Sequence, residues 1–67
     1  MSVVKVVELV GESPDSWKDA IEKAVAKASE TIHNIKAVEI KNFTANVEDG
    51  KVVAYKADMH LAFKVDG

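Results

Sequence analysis

The sequence predicts an α+β fold of β-α-β-β order: a three-stranded antiparallel sheet, strand order 1-3-2, with one helix packed on one face. Three observations predict it. A β-branched run covers 3–10, and apolar residues recur every three or four positions from Trp17 to Ile32. Seven apolar residues then alternate in phase from Val53 to Val65, behind an Asp49-Gly50 turn. The whole chain, 1–67, reads as a single domain.

The first strand is Val3 to Val10, rich in valine and ending at Gly11. Lys5 and Glu8 blur its alternation, so its buried face stays open. Ser13 is placed to cap the orphan amides of a helix, and Pro14 at the first helical position has no amide to lose. Asp15 and Asp19 set negative charge near the positive end of the dipole. The helix is expected from about Pro14 to Ile32, ending near His33-Asn34. Its apolar stripe is Trp17, Ala20, Ile21, Ala24, Val25, Ala28 and Ile32. Lys18–Glu22 and Asp19–Lys23 are opposite charges four apart on the other side. An alanine-rich stripe lets the helix lie close to whatever covers it.

The remainder is a hairpin. Asp49-Gly50 suits a two-residue type I′ turn, which needs positive φ at both positions. Pairing Glu48 with Lys51 sets Ile40 opposite Met59 and Val38 opposite Leu61. The other face then sets Glu39 across from His60 and Lys41 across from Asp58. Phe43 falls on that outer face beside Lys56 unless a bulge near Lys41-Asn42 shifts the phase. Strand order 1-3-2 follows from a crossover between the first two strands, leaving a gap for the third. The helix covers one sheet face. Nothing in the chain covers the other, where Ala37, Phe43, Ala54 and Ala62 mix with charges; such a face suits a subunit interface or a ligand platform.

Composition narrows the function. A chain of 67 residues buries only about 60% of its unfolded surface and is marginal alone. There is no cysteine, hence no disulfide, and His33 and His60 are the only soft metal ligands. Self-association is the remaining remedy. No apolar run is long enough to span a membrane, and Met1-Ser2-Val3-Val4-Lys5 lacks a leader's layout. Nine lysines without arginine, at net charge −2, argue against a nucleic-acid binder. The expectation is a cytoplasmic, oligomeric protein.

Catalytic chemistry has nothing to rest on. Ser2, Ser13, Ser16 and Ser29 lie at the terminus, cap and helix, without a base to activate them. Gly11, Gly50 and Gly67 make neither a phosphate loop nor a dinucleotide fingerprint. His60 reads as a cross-strand partner of Glu39, and His33 as a complement to the helix dipole. Glu12, Asp15, Asp19, Glu22 and Glu30 have oxygens for a hard cation but no EF-hand spacing, and read as a solvated helix face. Trp17 reads as a packing residue. No enzyme is expected, and no metal ligand is assigned.

The order Val-Glu-Leu-Val-Gly-Glu-Ser-Pro-Asp-Ser-Trp over 7–17 and the helix Lys-Asp-Ala-Ile-Glu-Lys-Ala-Val-Ala-Lys-Ala over 18–28 resemble the dodecins. The resemblance continues through Thr31-Ile32-His33-Asn34-Ile35 and Leu61-Ala62-Phe63-Lys64-Val65-Asp66, spanning essentially the whole chain. It implies a β-α-β-β subunit assembled with itself as a hollow homododecamer. It also implies a flavin site, in which isoalloxazine rings stack in pairs between symmetry-related tryptophans opening the second strand, and a glutamine on the third strand hydrogen-bonds to the ring. By position these fall at Ala37 and Lys56, and neither matches. A ring stack is worth about 1 to 3 kcal/mol, so losing both walls removes orders of magnitude in flavin affinity. The departure is similar to the calcium-dodecin subgroup, which lacks that tryptophan. The expected function is a non-enzymatic shell with an ion or small-molecule sequestration role and without tight flavin binding. Riboflavin, FMN and calcium are the ligands the resemblance admits. The alternative is flavin binding and storage through another wall: Phe43, Tyr55 or an aliphatic sandwich around Val38.

Overall fold

The first strand runs past its expected end. In the computed structural model, which describes residues 3–65, β1 spans Val3–Ser13 and pairs antiparallel with β3 (Lys51–Val65) from Val3↔Val65 to Ser13↔Tyr55. Met1, Ser2, Asp66 and Gly67, which entered the leader, serine, resemblance and glycine readings, lie outside the described residues. β3 supplies ladder partners through Gly11 and Glu12, so the glycine does not stop the strand. Ser13 is therefore the last strand residue and no cap. It is buried, and its hydroxyl accepts the Asp15 N–H at 2.9 Å and donates to Asp19 Oδ2 at 2.6 Å.

The helix α1 spans Trp17–Ala28, shorter at both ends than its stripe suggests. The cap is Ser16, in extended conformation, whose Oγ accepts the Asp19 N–H at 2.9 Å. Pro14 lies in the turn before it. Beyond Ala28 the bonds tighten: Glu30 N–H reaches the Lys27 carbonyl and Thr31 N–H the Ala28 carbonyl, both at 3.2 Å. Ser29 Oγ–H also donates back to the Val25 carbonyl at 2.8 Å. Asn34, at φ 63°, turns the chain into β2 (Ile35–Glu48). His33 lies just beyond the turn that follows the helix, whose Ile32 N–H still bonds the Ala28 carbonyl at 2.8 Å. Of the two expected helix pairs, Asp19–Lys23 closes at 3.0 Å, and Lys18–Glu22 does not close among the described residues.

The sheet has the order β1-β3-β2, antiparallel throughout. Asp49 and Gly50 have φ of 51° and 75°, as the turn requires. Glu48↔Lys51, Ile40↔Met59, Val38↔Leu61 and Glu39↔His60 are paired as expected. Lys41 is not opposite Asp58. A bulge between Ile40 and Asn42 places Asn42 there instead, and the added residue carries Phe43 to Ala57, on the helix side.

The helix lies on the face formed by Val7, Leu9, Gly11 and Ser13 of β1 with Tyr55, Ala57, Met59 and Leu61 of β3. Ala20, Ala28, Ala57, Met59 and Leu61 form the core. Gly11 is where the helix backbone comes closest: a Cβ there would lie 3.0 Å from the Ala20 carbonyl carbon and 3.1 Å from Ala24 Cβ. The result is long and thin, 52 × 20 × 13 Å with a radius of gyration of 13.8 Å. A self-contained globule of this length would have about 11 Å. Much of the excess is an arm: β1 stops opposite Tyr55, so residues 46–54 are two strands and a turn with no third strand beside them.

Candidate functional site

Strand pairing sorts the uncovered face into rows. Residues directly opposite in an antiparallel ladder share a face, so β3's even-numbered residues and their partners line the side away from the helix. One row is apolar: Val6, Ala62 and Ala37. The next is Glu8, His60 and Glu39, then Val10, Asp58 and Asn42, then Glu12, Lys56 and Thr44. Val4 extends the apolar end beside Lys64, and Ala54 with Asn46 continues the face onto the arm at the other; the register shift beyond Asn46 turns Val47 and Val52 to the opposite side. Val6 is 57% exposed and Val10 64%. These β1 valines were not singled out in the sequence: a run of consecutive valines gives no phase, and only the register against β3 assigns each to a face.

Charges on this face are tied locally. Lys56 Nζ lies 3.8 Å from Glu12 Oε1. His60 Nε2 lies 4.0 Å from Glu8 Oε2 of β1; Glu39 is its β2 neighbour, but that pair does not come as close. β3 is the central strand, so each of its residues from Tyr55 to Phe63 has a neighbour on both sides. Asp58 Oδ1 is buried without a hydrogen-bond partner. On the opposite side, the Ser13 hydroxyl and then the Lys23 ammonium hold the Asp19 carboxyl below its ordinary value of 3.8, while Asp19 raises Lys23.

Ala37 and Lys56 share the face but not a site within one chain. Ala37 is opposite Ala62, and six residues of strand separate Ala62 from Lys56, about 20 Å at strand rise. All four aromatic residues lie on the other face or at its edge. Phe43 pairs with Ala57, Tyr55 with Ser13, and Phe63 with Lys5. Trp17 meets Tyr55 at 4.9 Å and Phe43 at 5.8 Å between ring centroids, both edge-on. The correction to Phe43 therefore strips the uncovered face of its one expected ring. Tyr55 and Val38, the other walls considered for a flavin, are on the helix side as well. Flavin stacking at Ala37 does not fit the residues present. Among the described residues no three His, Asp or Glu side chains converge to hold a metal within one chain.

Comparison with known proteins places this architecture. The family model described as Dodecin matches residues 3–66. Calcium dodecin of Mycobacterium tuberculosis is 29% identical over 65 residues, covering 97% of this chain and 92% of that protein. The structure of dodecin from Streptomyces coelicolor superposes with a TM-score of 0.95 at 30% identity, covering 98% of this chain and 94% of the other. The crystal structure of the M. tuberculosis calcium dodecin, described as calcium chelating with a novel calcium-binding site, gives a TM-score of 0.84 at 30% identity, covering 97% and 93%.

Proposed function

The chain belongs to the dodecin family, and from that premise we propose that it is a non-enzymatic, cytoplasmic, self-assembling shell, a homododecamer, that sequesters ions or small molecules without binding flavin tightly. The observation that carries the assembly is the half-covered sheet. Val4, Val6, Val10, Ala37 and Ala62 stand on a face that no described element covers, in a subunit whose radius of gyration is 13.8 Å. Burial against other copies supplies the core that one helix on three strands cannot. No described helix is long and apolar enough to cross a membrane.

Weak flavin binding rests on the chemistry at Ala37. A methyl group offers no π-face, and no aromatic side chain shares its side of the sheet. Calcium, which the M. tuberculosis relative is described as chelating, takes about six to eight oxygens. With no three-ligand cluster among the described residues, a calcium site here draws oxygens from more than one copy.

Sedimentation of the purified protein tests the shell; a stable monomer overturns it. Val6→Asp, which sets a charge on the apolar end, is expected to dissociate the assembly. Quenching of riboflavin fluorescence tests the ligand claim, comparing the protein with the Ala37→Trp, Lys56→Gln double variant. Two restored rings at about 1 to 3 kcal/mol each predict at least a thirty-fold gain in affinity. Equal affinities would overturn the claim. Thermal unfolding that shifts with calcium and reverses with chelator supports ion sequestration, and insensitivity to both counts against it.

A further inference from the structure

The hairpin arm has no third strand, and isolated two-stranded hairpins are marginal in water, yet its root is bonded to the helix by one side chain. Trp17 Nε1–H donates to the Thr44 carbonyl at 2.9 Å, and its indole stands edge-on against Phe43 of β2 and Tyr55 of β3. These three residues are where the arm leaves the sheet: Tyr55 pairs with Ser13, the last residue of β1.

The indole also has a fixed base. Trp17 is the first helical residue, next to the Ser16 cap. The turn before it is pinned by Ser13, whose buried hydroxyl bonds the Asp15 amide and the Asp19 carboxylate. Ser13 is thus tied to the arm root by the ladder and to the helix start by its side chain, and Trp17 closes the remaining side of that triangle. Core packing does not explain the placement. Trp17 is 39% exposed and Phe43 54%, while the buried core residues lie elsewhere.

We propose that Trp17 is a positioning residue, a strut whose N–H bond to Thr44 and ring contacts hold the β2–β3 arm as a rigid continuation of the sheet. The arm carries the exposed Val47 and Val52. Its direction therefore decides where those valines are presented.

Hydrogen exchange on Trp17→Phe tests this, because phenylalanine keeps a ring against Tyr55 and removes only the donor. Variant and parent are compared on the same oligomeric fraction. Amides of 46–54 are expected to exchange about five-fold faster, the factor for one net hydrogen bond, with amides of 57–63 unchanged. Trp17→Leu removes the ring contacts too and is expected to loosen the arm further. Unchanged arm exchange in Trp17→Phe overturns the strut, and so does an equal rise in arm and core, which marks a general stability role. Sedimentation of the parent judges the shell separately: a monomer with a strut-dependent arm sinks the assembly and leaves the strut standing.

Discussion

Gly11→Ala is the substitution the structure judges most sharply, because two effects predict opposite signs. Gly11 does not have positive φ, so alanine fits its backbone conformation. On backbone entropy alone the change would stabilise by about 0.4–1 kcal/mol, through a less flexible unfolded chain. The packing predicts the reverse. The new Cβ would sit 3.0 Å from the Ala20 carbonyl carbon and 3.1 Å from Ala24 Cβ, and closer still to the Ala20 carbonyl oxygen. Carbon atoms in contact prefer about 3.5–4.0 Å, so the helix must rise by about 0.5–1 Å. A gap of that size forfeits a quarter to a half of the dispersion energy across it, and Ala20, Ala57, Met59 and Leu61 make up nearly all of the core it opens. The net expectation is a loss of about 1–3 kcal/mol. Urea denaturation at fixed protomer concentration reads it as a lower midpoint at unchanged slope. Adding Ala24→Gly relieves one contact but not the Ala20 carbonyl, a backbone group, so most of the loss should persist. A midpoint equal to or above the parent's refutes the claim that helix and strand touch at this glycine.

Three further outcomes follow from the same structure. Leu61→Ala removes a fully buried side chain and is expected to cost about 2–5 kcal/mol in denaturant unfolding. Ser16→Ala deletes the helix cap and should cost about 1 kcal/mol, whereas the same change at a capping Ser13 would have been the damaging one had the helix begun at Pro14. Asp19 has a folded pKa below 3.8, from the Ser13 hydroxyl first and Lys23 next. Its contribution to stability is present above the unfolded pKa and lost as pH falls through the lower folded one. Asp19→Asn should therefore flatten the acid limb of an unfolding-midpoint profile below about pH 4, and an unaltered limb would contradict the Ser13–Asp19 bond.

The two serines show how local signals mislead by a few residues. Ser13-Pro14 reads as the helix start because proline suits the first helical turn, yet the cap is Ser16, three residues on. The choice is made by β3, whose residues 55–57 continue the ladder and draw Gly11–Ser13 into the strand. Phe43 shows the same dependence at long range. Its side of the sheet turns on the shifted register between Lys41 and Val47, bounded by an irregularity at each end, since side chains alternate and a single-residue shift moves them to the opposite face. That shift moved the only ring expected on the uncovered face to a contact with Trp17.

The chain's own pattern was sufficient for its three strands, one helix, tight turn and strand order, because period 2, period 3.6 and the Asp-Gly turn are properties of neighbouring residues. The hairpin register was legible at the turn and again from Ile40 to Val38, but not over 42–46, where two irregularities shift it by one residue and back. The absence of a tryptophan and a glutamine at Ala37 and Lys56 needed no coordinates. Tertiary structure alone decided where β1 and α1 stop, which valines share the uncovered face, that His60 faces Glu8, and that Trp17 ties the helix to the arm. Each of these depends on which strand lies beside which, and contacts across a sheet join residues far apart in the chain. Trp17 and Thr44 are 27 positions apart, and no spacing rule along the sequence reaches that far.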